Sequence, residues 1–174
     1  MTVEEGRARD GARHPRPLYT PEERQRRDAT RWTLVQGLLA PLQFLVFIVS
    51  LWLVLNYLVT GTGLEAATIS IVVKTIVLLT IMVTGAIWEK VVFGQYLFAP
   101  AFFWEDVVSF GVIALHVAYV MCWLAGYGTA EQQMLIALAA YATYIVNAAQ
   151  FLLKLRAARR SESVQELPPG IHCQ

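Results

Sequence analysis

Polar and apolar positions divide this chain into three blocks. Residues 1–31 are polar, 32–155 are overwhelmingly apolar, and 156–174 turn polar again. A helix needs roughly 20 mostly apolar residues to cross a bilayer. Four runs in the middle block reach that length, at about 34–58, 66–88, 107–124 and 134–153. The first carries no charge, the second is interrupted by Lys74, and the third by His116. The pattern predicts an all-α polytopic membrane protein, a bundle of four transmembrane helices over 32–156. Around it the expected parts are a tail at 1–18, a short interfacial helix at 19–31 and a tail at 157–174.

The segments between the runs support these limits. "TGLE" (Thr62 to Glu65) and "TAEQ" (Thr129 to Gln132) both read as capping boxes, in which a threonine and the residue three later satisfy free amides at a helix start. Each follows or overlaps a Gly-x-Gly pair, Gly61/Gly63 and Gly126/Gly128, suited to a tight reversal. Before the first run, "YTPEERQRRDATR" offers Thr20 as N-cap, Pro21 at the first helical position, and Glu22/Arg26 and Glu23/Arg27 pairs one turn apart. Prolines at 15, 17, 168 and 169 mark the two tails, 1–18 and 162–174, as disordered.

Charge adds an orientation. The loops 59–65 and 125–133 contain no Lys or Arg, whereas Arg24, Arg26, Arg27, Arg31, Lys90, Lys154, Arg156, Arg159 and Arg160 all fall at the other ends of the runs. Basic residues mark the cytoplasmic side, so both termini and the 89–106 connection are expected there. Composition changes little else. The chain is 56% hydrophobic with a net charge of +1, which gives no reason to expect a nucleic-acid partner. Cys122 and Cys173 form neither a metal spacing nor a disulfide framework. The polar first thirty residues do not read as a secretory signal.

Polar residues inside a span are costly and usually face the bundle interior. Gln36, Gln43 and Ser50 recur every seven residues on the first run, where Pro41 is a candidate kink. Glu105, Ser109, Val112 and His116 share a face of the third, and Thr143, Asn147, Gln150 and Lys154 one of the fourth. Gln36, Gln43 and Thr143 act either as interhelical glue or as part of a site. Lys74, about two turns from the outer surface, is expected to snorkel towards it. Trp32, Trp88 and Trp104 stand at interfacial-belt positions, and Lys90 and Lys154 at headgroup level.

Glu89, Glu105 and Asp106 flank a connection, "VVFGQYLFAPAFFW", too apolar and aromatic for a plain solvent linker. Three acids among Trp88, Tyr96, Phe98, Phe102, Phe103 and Trp104 suit a large, flat, apolar molecule with some polar chemistry. The alternative is that they are solvated helix ends, favoured in the first turn by the helix dipole. Glu105 and Asp106 point about 100° apart on a helix, so Glu89 with one of them makes the better couple. His116 either bonds a neighbour in the core or ligates a metal carried by a bound macrocycle. A paired-histidine haem site is not available, because His14 and His172 lie in the tails.

The strings "RWTLVQGLLAPLQFLVF" (31–47), "ATISIVVKTIVLLTIMVTGAIWEKVVFGQYLFAPAFFWEDVVS" (67–109) and "LIALAAYATYIVNAAQFLLKLRAAR" (135–159) closely resemble the 3-vinyl (bacterio)chlorophyllide hydratase family. "IWEKVVFG" and "LFAPAFFWEDVVS" are specific to it, and the resemblance covers 31–159. It implies addition of water to the C3 vinyl group of chlorophyllide a, or of 3-vinyl bacteriochlorophyllide a, giving a 1-hydroxyethyl group in bacteriochlorophyll biosynthesis. It also implies a Mg macrocycle as substrate, membrane lipid and other enzymes of that pathway as partners, and a bacterial inner or photosynthetic intracytoplasmic membrane as location. No cofactor and no metal of the protein's own is expected, since adding water leaves the overall oxidation state unchanged.

Such a reaction needs a proton for the terminal vinyl carbon, a base for water, and a dry pocket. One of Glu89, Glu105 or Asp106 supplies the acid and a second the base. Trp88, Trp104 and Phe103 would pack on the ring, and Lys90 or Lys154 would meet its propionate. Asn147 and Gln150 would orient water or ring substituents. His116 would ligate the substrate magnesium or complete the water-activating set. The rival readings are a membrane carrier or assembly protein that holds chlorophyllide unchanged, and a small four-helix transporter. The latter would be expected to show a lone acid at mid-span, whereas these acids gather at one end.

Overall fold

A computed structural model describes residues 18–165, with side chains described to 159. The expectations for 1–17 and 166–174, including those for His14, His172 and Cys173, lie outside the described residues. Five helices follow in order: α1 Pro21–Ala29, α2 Arg31–Thr60, α3 Leu64–Phe93, α4 Phe103–Leu124 and α5 Ala130–Gln165. The described residues are helical with turns and contain no strand. The last four helices are long and apolar enough to cross a membrane. At 1.5 Å per residue, the 30 residues of α2 and of α3 each span about 45 Å, more than the roughly 30 Å hydrocarbon core.

Local chemistry sets the boundaries. Thr20 and Glu23 form the reciprocal capping box that starts α1, with Pro21 in its first turn. Thr30 then breaks the helix in extended conformation, and its Oγ1 accepts from Trp32 N–H at 3.3 Å to begin α2. α2 runs unbroken through Pro41 and ends at Gly61 in left-handed conformation, φ +70°. The second box forms as expected, Thr129 N–H to Gln132 Oε1 at 2.9 Å and Gln132 N–H to Thr129 Oγ1 at 3.2 Å.

The expected box at Thr62–Glu65 does not form. Gly63, at φ +84°, is the N-cap of α3, which leaves Glu65 at the second helical position instead of the third that a box requires. The hydroxyl of Thr62 meets that of Thr60 at 2.8 Å instead. The expected disorder from 162 is also corrected in part, because α5 continues through 165.

Short connections make two antiparallel hairpins, α2–α3 and α4–α5. Gln36 Nε2–H donates to Thr84 Oγ1 at 2.8 Å and Ser50 meets Ser70 at 2.7 Å, which fixes the register of the first. Lys154 with Glu105, Asn147 with Ser109, and the His116 ring 5.8 Å from that of Tyr141 fix the second. The hairpins join where Ser50 bonds Tyr141 OH at 2.5 Å and Phe47 packs on Tyr141 and Tyr144. The core there includes Val54, Ile71, Leu78, Val112, Met134 and Ala140. Leu34, Leu45, Trp52, Val59 and Leu153 project outwards, an apolar exterior that suits lipid.

The longest connection between the described helices, 94–102, lies at the same end of the bundle as α1. This α1 end holds the start of α2, the end of α3, the 94–102 connection, the start of α4 and the end of α5. Tyr19 docks α1 there, stacked on Phe93 at 5.7 Å and close to Phe102.

Candidate active site

Glu89 lies in the last turns of α3 and Asp106 in the first turn of α4. The 94–102 connection folds back over both. Gly94, at φ +85°, ends α3 and turns the chain. Phe98 N–H donates to Asp106 Oδ2 at 2.7 Å, and the next amide, Ala99 N–H, donates to Glu89 Oε2 at 3.3 Å. The connection then closes through Phe102 N–H to Ala99 O at 2.7 Å and Asp106 N–H to Phe102 O at 3.0 Å. Phe98 has φ +58°, the one positive value among described non-glycine residues. Such a conformation costs about 1–3 kcal/mol and persists only where its surroundings hold it; the Asp106 bond is what holds it here.

Glu89 and Asp106 are 6% and 3% exposed, and their carboxyl groups lie within hydrogen-bonding reach of each other. Carboxyls that close do not both ionise readily, so such a pair tends to hold one proton between them. Glu105 is separate. It pairs with Lys154 Nζ at 2.5 Å, and that ammonium also sits 5.0 Å from the Phe102 ring centre. The structure therefore brings Glu89 and Asp106 together and turns Glu105 towards α5, as the roughly 100° offset of adjacent helical residues requires. Lys154 is committed to this ion pair.

The aromatic residues form two groups instead of one ring around the acids. Trp88, Phe93, Phe102, Phe151 and Tyr19 make an inner cluster. Trp88 is edge-on to Phe93 and Phe102, each 5.8 Å away, and its Nε1–H donates to Thr33 at 3.0 Å. Phe98, Phe103, Trp104 and Phe110 make an outer face. Phe98 is stacked on Phe110 and tilted against Phe103, both at 5.6 Å, and Trp104 meets Phe103 edge-on at 5.5 Å. All four are exposed. Lys90, also exposed, donates to Gly94 O at 2.7 Å and lies 5.3 Å from the Tyr96 ring.

The remaining sequence candidates run into the bundle. Asn147 donates to Ser109 at 2.9 Å, about two turns of α5 below the Glu105–Lys154 pair, with Gln150 between. His116 is fully buried, with Nδ1 2.8 Å from Val112 O. It lies ten residues along α4 from Asp106, about 15 Å at helical rise, so the structure does not bring it to the acids. Lys74 corrects the snorkelling expectation outright. It is 0% exposed and points inwards, its Nζ 3.7 Å from the centre of the Tyr144 ring. Sequence reasoning passed over Tyr141 and Tyr144, although they precede Asn147 at three-residue intervals on the same face of α5 and a helical plot would have grouped them. Nothing in the sequence signalled that Phe98 and Ala99 amides would cap the two acids.

Among the described residues no cluster of three His, Cys, Asp or Glu side chains could hold a metal ion. What the α1 end does offer is a buried carboxyl couple, an exposed group of aromatic rings, and Lys90 held against the connection at Gly94 and Tyr96. No solved structure matches the chain. It is 73% identical over 144 residues to a 2-vinyl bacteriochlorophyllide hydratase of Cereibacter sphaeroides, covering 83% of this chain and 89% of that one. It is 72% identical over 142 residues to a 2-vinyl bacteriochlorophyllide hydratase of Rhodobacter capsulatus, covering 82% of each. The model of one family matches residues 19–157, a span that includes every helix position discussed above except the last turns of α5. On these matches the chain belongs to the 2-vinyl bacteriochlorophyllide hydratase family.

Proposed function

We propose that this chain is a hydro-lyase that adds water across the vinyl substituent of a chlorophyllide-type macrocycle in bacteriochlorophyll biosynthesis, with Glu89 and Asp106 as its acid–base couple. The older numbering of the macrocycle calls that carbon 2 and the systematic numbering calls it C3, so the family name and the sequence expectation describe one group. The observation that carries the assignment of residues is the meeting of two buried carboxyls from different helices under a connection of aromatic residues.

A couple sharing one proton is suited to the reaction and is regenerated by it. The protonated carboxyl gives its proton to the terminal vinyl carbon, which becomes a methyl group. The cation left on the inner carbon is spread over the macrocycle, and the two carboxylates now face it, stabilising it electrostatically. Water attacks the inner carbon, and the carboxylate that accepts its proton restores the couple. One C–H and one C–O bond form, the vinyl π bond is lost, and no electron acceptor is needed.

Outside the couple, the exposed rings of Phe98, Phe103, Trp104 and Phe110 provide an apolar surface for a macrocycle at the lipid boundary, with the stacked Phe98–Phe110 pair as its most nearly coplanar part. Lys90 stands beside it for a propionate. Trp88 would act by backing Phe102, since it is packed in the inner cluster with its Nε1–H held by Thr33. Phe98 connects the two parts, its ring in the docking face and its amide on Asp106. The basic residues gathered at the α1 end support a cytoplasmic position for that end under the positive-inside rule, and the bacterial inner membrane or its photosynthetic invaginations is the expected location. Other enzymes of the pathway would supply the vinyl pigment and take the hydroxyethyl product.

The test is direct. Membranes containing the full chain, and matched membranes lacking it, are incubated with chlorophyllide a or 3-vinyl bacteriochlorophyllide a, and the pigment is analysed by absorbance and mass. A blue-shifted red band with the mass gain of one water is expected only with the protein. Pigment that co-purifies unchanged with folded protein would favour the carrier reading instead.

A further inference from the structure

The interior of the bundle holds polar side chains that the carboxyl couple does not use. Gln43, Lys74 and His116 are each at most 2% exposed. Both amide atoms of Gln43, Lys74 Nζ, His116 Nε2, Asn147 Oδ1 and Gln150 Oε1 are buried with no hydrogen-bond partner among the described residues. Leaving such an atom unsatisfied costs about 1–3 kcal/mol. Six such costs together would rival the roughly 5–15 kcal/mol by which a whole domain is stable. The ring of Tyr144 relieves part of the cost for Lys74, but a ring face cannot satisfy every amine hydrogen.

These atoms are arranged in sequence along the bundle. His116 lies opposite Tyr141, and Lys74 lies at the level of Tyr144, three residues nearer the α1 end. Asn147 and its partner Ser109 come next. The α2–α3 register set by Ser50–Ser70 and Gln36–Thr84 puts Gln43 opposite 77, beyond Phe47, and so near the Asn147 layer. Gln150 follows, then the Glu105–Lys154 pair, which adjoins Asp106. Successive layers on α5 are three or four residues apart, about 4.5–6 Å. One water making two hydrogen bonds bridges polar atoms about 5–6 Å apart, the scale of this axial spacing, and a water between successive layers would find the polar partners that buried water needs.

We propose that this seam holds a file of buried water molecules running from the Lys74–His116 layer to the carboxyl couple, and that the water added to the vinyl group is drawn from it. The supply role rests on Glu89 and Asp106 being the site of hydration; the presence of the water does not. The logic is that a macrocycle on the outer aromatic face and the 94–102 connection together close the couple from outside. Water must then reach the inner vinyl carbon from the protein side. The file also explains why this chain carries Lys74 and His116 about three turns and more away from the acids, where neither can touch a macrocycle docked outside.

The experiment is radiolytic footprinting of the full chain in lipid nanodiscs made up in water enriched in oxygen-18. Hydroxyl radicals form wherever water resides and label the adjacent tyrosine ring. Tyr141 and Tyr144 are buried but are expected to take up label at rates like those of exposed Tyr96 and Tyr127. Tyr19, buried against Phe93 and Phe102, serves as the dry control and stays unlabelled. Absence of label on both Tyr141 and Tyr144 overturns the proposal without any variant. Gln43→Leu is expected to lower the Tyr144 label to the Tyr19 level. It is also expected to reduce kcat about tenfold, the equivalent of one hydrogen bond, with KM for the pigment unchanged. Loss of label with unchanged kcat overturns the supply role. If amide variants of the couple hydrate pigment normally while Tyr141 and Tyr144 still label, the site assignment fails and the buried water stands.

Discussion

Asp106 does two jobs in this reading, and two substitutions separate them. Its Oδ2 accepts the Phe98 amide at 2.7 Å, which anchors a connection strained at φ +58°, and its carboxyl shares a proton with Glu89. Asp106→Asn keeps an oxygen for the Phe98 amide but cannot hand a proton to carbon or accept one from water. General acid–base catalysis contributes roughly 10²–10⁴-fold, or about 2.7–5.4 kcal/mol of barrier. The anchoring bond changes only from charge-assisted to neutral, a loss of about 1 kcal/mol. Asp106→Ala, by contrast, leaves a buried amide unsatisfied at about 1–3 kcal/mol and frees the strained residue.

The expected pattern is therefore a split. Asp106→Asn loses at least about a hundredfold in turnover at saturating pigment, while amide hydrogen exchange across 95–102 stays slow. Asp106→Ala loses turnover and also speeds exchange in that segment. Glu89→Gln should behave as Asp106→Asn does, because Ala99 N–H retains an acceptor. Turnover by Asp106→Asn within a few fold of the parent, with exchange also unchanged, would sink the couple as the chemical centre. The two acids would then be staples for the connection and nothing more.

Three further outcomes follow from the same geometry. Lys154→Met strands the buried Glu105 carboxylate, so thermal unfolding in detergent should show a loss of roughly 1–3 kcal/mol, most of it recovered in Lys154→Met with Glu105→Gln. A cysteine replacing Lys74 should resist a membrane-impermeant maleimide from either side, whereas one replacing Lys90 should react from the α1 side only; rapid labelling at 74 would restore the snorkelling picture. Tyr141→Phe removes the 2.5 Å bond to Ser50, but Ser50 keeps Ser70, so the unfolding temperature should fall by the equivalent of only about 0.5–1 kcal/mol and turnover should not change.

How far the sequence carries depends on the range of the interaction involved. Four apolar runs give four long helices because length and hydropathy act residue by residue, and the Thr20–Glu23 and Thr129–Gln132 boxes act within four residues. The Thr62–Glu65 box fails at the same range, because a left-handed Gly63 competes for the cap and no composition rule ranks the two. The separation of Glu105 from Asp106 follows from helix geometry alone, which leaves Glu89 as the partner for one of them. The side chain chosen by Lys74 is different. Whether it snorkels or turns inwards depends on what faces it from α5, and that is decided by the packing of two hairpins that brings Lys74 to Tyr144, 70 residues away in sequence. The inward choice also bears on function. A lysine that could have reached the headgroups at little cost instead lies buried against Tyr144, one step along α5 from the His116–Tyr141 contact. That arrangement is stable only if the layer offers it hydrogen-bond partners, and water is the partner that a hydrating enzyme must in any case admit.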